Sequence, residues 1–214
     1  MNMLLKYKIS PPSLIRNLFP GTIWRVKTNE KVLFITFDDG PVPEVTPWVI
    51  DCLKKYKAVA TFFCVGDNVR KYPEIFKSLT DNEMAVGNHS FSHKKTKRFH
   101  KIEFFKDVDK SMEFVKSAIF RPPHGRINPW WLPELKRRFD KIVMWDILSL
   151  DYDKNVSAED VVNNVITNIR PGSVIVFHDS LKSWDRMRYA LPKVLEFAIE
   201  NGYKTKIIKI VNSK

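Results

Sequence analysis

The chain alternates short, continuously apolar runs with longer stretches in which apolar residues recur every three or four positions. Residues 31–37 form the first continuous run, rich in β-branched and aromatic side chains and ending at Asp38-Asp39-Gly40. Runs at 58–65, 84–87, 120–122, 141–146, 173–177 and 204–210 repeat the pattern, so seven strands are predicted. Between them lies helical spacing. Thr46-Pro47 reads as N-cap and first helical residue of a helix reaching Tyr56, and a second helix covers 73–79. The clearest helix covers 101–119, where Ile102, Phe105, Val108, Met112, Val115 and Ile119 recur at three- and four-residue steps. Asn128-Pro129 opens another, Ser157 with Asp160 resembles a capping box before Val161 and Val165, and a last helix at 191–199 stops before Gly202.

Strands alternating with helices imply a parallel α/β sheet. Strands buried on both faces by helices have no wet side, which explains why the runs are continuously apolar rather than alternating. In such a sheet chemistry gathers where loops leave the carboxyl ends of the strands. The polar residues that break the pattern fall there: Asp38 and Asp39 after the first strand, His89 and His93 after the third, Arg121 after the fourth, Asp146 and Asp151 after the fifth, His178 and Asp179 after the sixth.

At 214 residues, with 44% hydrophobic and 28% charged residues, the chain is long enough for one core and short for two domains. A single domain over 31–214, with residues 1–30 as an extension packed on it, is expected. A monomer is expected. The net charge of +12 raises the question of nucleic acid, since basic residues cluster at Lys94, Lys95, Lys97, Arg98 and Lys101 and again at Lys136, Arg137 and Arg138. No helix-turn-helix, RNP-like or finger signature accompanies them, so solvated faces are favoured and an anionic glycan would suit the same charge. Cys52 and Cys64 sit inside apolar runs at a spacing unlike a disulfide framework or zinc knuckle, and read as buried reduced thiols. The basic N-terminal stretch lacks an apolar run of signal-peptide length, and no stretch approaches a membrane span. On sequence alone the chain reads as cytoplasmic.

His89 and His93 stand at i and i+4 and can face one ion, and a carboxylate from another strand end would complete a two-histidine, one-carboxylate set with open positions. Asp38 and Asp39 supply that carboxylate and leave a second as proton acceptor; on its own, Asp-Gly would read as a solvated turn.

These residues, taken in order, resemble the motifs of the NodB-type polysaccharide deacetylases, also called carbohydrate esterase family four. Thr36–Gly40 is similar to the first motif, His89–His93 to the second, Arg121-Pro122-Pro123-His124-Gly125 to the third, Trp145-Asp146 through Tyr152 covers the fourth, and Val176–Asp179 is similar to the fifth. The resemblance implies an irregular (β/α)7-type barrel that removes acetyl groups from N-acetylglucosamine-type units of peptidoglycan, chitin-like oligomers or another N-acetylated glycan. It implies a divalent ion, usually Zn2+ with Co2+, Ni2+ or Mn2+ as alternatives, on Asp39, His89 and His93. Asp38 would be the general base paired with Arg121, His178 the general acid held by Asp151, and a backbone N–H near Pro123-His124 would help hold the oxyanion. Tyr152 and Val176 would flank the acetyl methyl, with Pro123 and His124 beside the sugar. A site of action at the cell envelope follows from the same resemblance. Leu148, Tyr152, Val176 and His124 depart from the usual motif residues and bear on substrate preference; a carbohydrate-binding protein of the same fold with little turnover is the alternative they keep open.

Overall fold

The computed structural model describes residues 9–94 and 100–208. The strands are β1 (Thr22–Ile23), β2 (Val32–Asp38), β3 (Thr61–Cys64), β4 (Ala85–Asn88), β5 (Ile119–Phe120), β6 (Lys141–Val143), β7 (Ile147–Leu148), β8 (Val174–His178) and β9 (Lys204–Thr205). The α-helices are α1 (Ser13–Asn17), α2 (Val45–Lys55), α3 (Gly66–Lys71), α4 (Pro73–Asp81), α5 (Lys101–Met112), α6 (Leu132–Leu135), α7 (Ala158–Ile166) and α8 (Trp184–Glu200).

The sheet runs β1-β6-β5-β4-β3-β2-β8-β7, with β9 added against β2, and every strand pair is parallel. β6 and β7, near opposite ends of this order, are separated by residues 144–146 alone. The sheet therefore curls until its last strand, β7, and β6, the neighbour of its first, belong to one segment, 141–148, which pairs with β1 and β5 at one end and with β8 at the other. This is the expected irregular barrel of an α/β domain.

All seven residues of β2 are buried, so this strand is covered on both faces. Leu33, Ile35 and Phe37 join the large outer core with α2, α7 and α8, through Val49, Leu53, Val161, Leu191 and Val194 among others. Val32 and Phe34 face the barrel interior with Phe63, Ile119, Val143 and Val174. Further along that inner face stand Thr36 and Asp38, so the period-two alternation sorts residues by layer, with polar ones reserved for the top of the barrel. A third cluster joins Phe104, Phe105 and Val108 of α5 to Phe120, Leu132, Leu135 and Phe139.

Several expected boundaries move. α5 stops at Met112 although the apolar spacing continues to Ile119. Val115 is buried in the outer core and Ile119 pairs with Lys141, so sheet pairing takes residues whose period also fits a helix. α8 starts at Trp184, seven residues before the expected start, and carries Pro192 inside it. Met187, Ala190, Leu191, Val194, Leu195 and Ala198 give that helix one continuous buried face, which outweighs the proline's missing N–H. Thr46 is not the N-cap of α2; the helix begins at Val45 and the Thr46 hydroxyl is used elsewhere. α3, β1 and β7 were not anticipated. Other signals hold: Ser157 Oγ accepts the Asp160 N–H at 3.0 Å, and Gly202 at φ +74° closes α8. There Tyr203 N–H reaches Ala198 O at 2.8 Å and Gly202 N–H reaches Ile199 O at 2.9 Å. The last strand is described only as Lys204–Thr205, and residues 209 and 210 of the expected run lie outside the described residues. Both cysteines are buried free thiols, and burial pushes Cys52 up to about 11. No helix of the described residues is long and apolar enough to cross a membrane.

Candidate metal centre and catalytic site

Asp39, His89 and His93 come together at the carboxyl ends of β2 and β4, their ligand atoms all within 4.8 Å of one another. Asp39 Oδ1 lies 3.1 Å from His93 Nε2 and 3.9 Å from His89 Nε2. Donors about 2.1 Å from a tetrahedral ion stand roughly 3.4 Å apart, so these separations suit one. Asp39 Oδ1 is buried and has no hydrogen-bond partner despite its approach to His93. A buried carboxylate oxygen left in this state is costly unless a cation meets it. His89 is prepared in the complementary way. Its Nδ1–H donates to Arg121 O at 2.8 Å, which leaves the Nε2 lone pair facing the carboxylates, and burial pushes its pKa down to about 4, so the ring is neutral. Burial opposes ionisation of Asp39, but the surrounding histidines outweigh it and hold its pKa below the usual value. The donor set fits a divalent ion.

Two hydrogen-bonded carboxylate pairs, Asp38–Arg121 and Asp151–His178, lie beside this cluster. Asp38 Oδ1 accepts Arg121 Nη1–H at 2.6 Å, while Oδ2 is turned to within 3.9 Å of His89 Nε2. Arg121 is 1% exposed, and three further donors go to Thr36 Oγ1 (2.7 Å), Met144 O (2.9 Å) and Val143 O (3.3 Å) with its plane over Phe63. With all three nitrogens bonded, and four of the five N–H groups used, the buried guanidinium is tolerable. In the second pair, Asp151 accepts the His178 Nδ1–H at 2.7 Å and the His178 backbone N–H at 2.8 Å. Burial disfavours the imidazolium, but Asp151 first, with Asp39 and Asp38 behind it, outweighs burial and pushes His178 up to about 9. Nδ1 is committed, so Nε2 is the nitrogen free to give a proton.

The remaining expected residues ring the same place. Tyr152 stands edge-on to His178 with centroids 4.8 Å apart, and the His124 ring is 4.4 Å from that of His93. Pro123 is buried in a 3-10 turn, and Val176 lies two residues before His178 on the same face of β8. Asp39, Ser90, His93, His124 and Leu150 all adopt positive φ without being glycine, the concentration of strain expected where loops are bent to serve a site.

A profile of the polysaccharide deacetylase family matches residues 25–137. A peptidoglycan-N-acetylglucosamine deacetylase of Bacillus cereus is 31% identical over 94% of this chain and 94% of its own length. This chain belongs to the polysaccharide deacetylase family. A chitooligosaccharide deacetylase of Azorhizobium caulinodans is 33% identical over 74% of this chain and 79% of the relative. The solved structure of the Bc1960 peptidoglycan N-acetylglucosamine deacetylase superposes with a TM-score of 0.83 at 29% identity, covering 93% of this chain and 95% of that one. The resemblance read from the motifs is therefore correct.

In this polysaccharide deacetylase the outer supports of the site were not found by sequence reasoning. α3 donates its first N–H groups to the ligand loop, Gly66 N–H to Ser90 O at 2.9 Å and Asp67 N–H to Phe91 O at 3.0 Å, while Asn68 Nδ2–H donates to Asp39 O at 2.8 Å. Asp107 of α5 accepts the N–H groups of Phe91 (3.1 Å) and Ser92 (3.2 Å) and the Ser92 hydroxyl (2.6 Å). α3 is mostly polar and Asp107 occupies an ordinary polar position of an amphipathic helix, so no spacing marks them. Asp179, singled out as a strand-end acid, was given no role by sequence reasoning. Asp146, a strand-end acid in the sequence, does not join the site; it binds Arg16, Arg170 and Ser173. Of the basic clusters, Lys136 and Arg138 are spent on Pro20 O, Asp109 and Glu134, and Lys95, Lys97 and Arg98 lie outside the described residues.

Proposed function

We propose that the chain removes N-acetyl groups from N-acetylglucosamine-type units of a cell-envelope glycan, with peptidoglycan as the first candidate and chitin-like oligomers as the second. The observation that carries this is that an Asp38–Arg121 pair and a His178–Asp151 pair lie beside one three-ligand cluster, Asp38 and His178 being register partners on the neighbouring strands β2 and β8. Asp39, His89 and His93 would hold the divalent ion, for which zinc suits the nitrogen-rich donor set. Bound there, the ion supplies Lewis acidity to the acetamide carbonyl and to water.

The protein's own residues handle the protons. Asp38, kept oriented by Arg121, takes a proton through Oδ2 from the water that attacks the acetamide carbon. The carbon–nitrogen bond then breaks, and His178 Nε2 gives its proton to the departing sugar amine, leaving acetate. Asp151 keeps His178 protonated until that moment and fixes the tautomer that presents Nε2. The backbone N–H at His124 is the proposed protein donor to the oxyanion. Tyr152 and Val176 form the wall and floor around the acetyl methyl, with Pro123 and His124 on the sugar side. The net charge of +12 favours an anionic envelope polymer over a neutral one.

Chelated protein is offered a panel of acetylated oligosaccharides, with and without restored zinc, and the products are read by mass spectrometry. Acetate-sized losses from N-acetylglucosamine oligomers only after zinc is restored are the expected result. No loss from any member of the panel with zinc present would refute the reading.

A further inference from the structure

We propose that Asp179 is a positioning residue for the metal: it sets the Asp38-Asp39-Gly40 turn in the conformation that aims Asp39 at His89 and His93. The inference rests on the metal reading above.

Asp179 is 1% exposed and follows His178 at the end of β8. Its Oδ1 accepts the Gly40 N–H at 3.0 Å and its Oδ2 accepts the Thr46 hydroxyl at 2.6 Å. Thr46 Oγ1 in turn accepts the Val42 N–H at 2.8 Å, and Asp179 N–H donates to Asp38 O at 3.1 Å. One residue thus holds the backbone on both sides of Asp39, and through Thr46 ties the loop beyond it to the first turn of α2. Asp39 needs such a hold, because its φ of +84° is one that residues with a side chain rarely adopt. Gly40 is matched to the same carboxylate: a Cβ at position 40 would stand 1.9 Å from Asp179 Oδ2. Thus the glycine and the aspartate, 139 residues apart, form one fitting. With both oxygens bonded to the loop and the side chain shut away from solvent, Asp179 is out of reach of substrate, so it acts through Asp39.

The test measures zinc affinity by competition with a chromophoric chelator, alongside metal-free thermal melts, for the wild type, Asp179→Ala, Asp179→Asn and Thr46→Val. His93→Ala sets the zero. Asp179→Ala is expected to weaken zinc binding about 10- to 100-fold, as loss of an outer partner of a ligand does. Asp179→Asn keeps a carbonyl oxygen for Gly40 N–H and should bind zinc closer to wild type than to Asp179→Ala. Thr46→Val, which removes a single bond to the carboxylate, should fall between them with its metal-free melt retained. Zinc affinity of Asp179→Ala within about twofold of wild type overturns the proposal. So does an Asp179→Asn protein that folds yet binds no better than Asp179→Ala. If Asp179→Ala fails to fold, undiminished affinity in both other variants overturns it. A wild type that binds no zinc at all defeats the metal reading itself, which separates the two failures.

Discussion

Two aspartates buried against arginine serve opposite purposes in this molecule. Asp146, 0% exposed, has Oδ1 on Arg16 (2.8 Å) and Arg170, and Oδ2 on Arg170 Nε (3.0 Å) and Ser173 Oγ (2.8 Å). Every acceptor direction is used, and the cluster fastens α1 and the turn before β8 to the segment between β6 and β7. Asp38, 6% exposed, is given a single arginine nitrogen on Oδ1, while Oδ2 is left facing the metal ligands. At Asp146 the carboxylate is saturated; at Asp38 the arginine has all three nitrogens bonded and the carboxylate is not saturated. The two aspartates thus differ in unspent acceptor capacity rather than in burial or pairing as such.

The sharpest way to break this comparison is to neutralise each aspartate. Asp38→Asn should lower turnover by about 10²- to 10⁴-fold while zinc stays bound, whereas His93→Ala should lose both. A stoichiometric metal assay beside the acetate-release assay separates them, and zinc loss in Asp38→Asn would make Asp38 a ligand. Asp146→Ala should instead cost stability, about 3 kcal/mol by urea unfolding because two arginines lose their partner, with turnover per folded molecule retained. Burial raises the Asp146 pKa, but the bonds from Arg170, Ser173 and Arg16 outweigh it and leave it depressed. Its contribution is therefore present above the ordinary carboxylate range and lost as pH falls through the depressed value, so wild type and Asp146→Ala should converge in stability in acid. Wild-type stability in the variant would mean the cluster holds nothing.

The acid side yields smaller effects. With His178 raised by Asp151, the high-pH limb of the rate reports loss of the His178 proton, and Asp151→Asn should move that limb to lower pH by about one unit or more. An unmoved limb in the pH profile removes Asp151 from this role. Smallest is the pocket: Tyr152→Trp with Val176→Leu should change the preference between N-acetyl and bulkier N-acyl substrates about 3- to 30-fold in relative kcat/KM, at unchanged metal content. An unaltered acyl ranking would take both residues out of the acetyl pocket.

The inner site was legible because its residues interrupt apolar strands at their ends, where a side chain has only one place to go. Asp38, Asp39, Arg121 and His178 were all readable on that ground, as was the layered α/β fold. Asp146 was misplaced for the same reason: a polar residue ending a strand looks the same whether it serves chemistry or an ion cluster, and only the positions of Arg16 and Arg170 decide. The supports on α3 and α5 were invisible because a solvated polar residue and one that clamps a loop have identical spacing. Helix and strand limits failed where one apolar residue satisfies both periods, as Ile119 does, and at α8, whose buried face runs from Met187 and carries Pro192 inside it.

The segment where the curled sheet meets itself has a consequence for the site. Arg121 is held by the carbonyls of Val143 and Met144, within the stretch that closes the barrel. Opening of that stretch would remove two of the four acceptors that hold Arg121 beside Asp38, so the geometry of the Asp38–Arg121 pair should be tied to it. Amide exchange at Met144 and Asp146, whose N–H groups bond Ile23 O of β1 and Val174 O of β8, should report such opening.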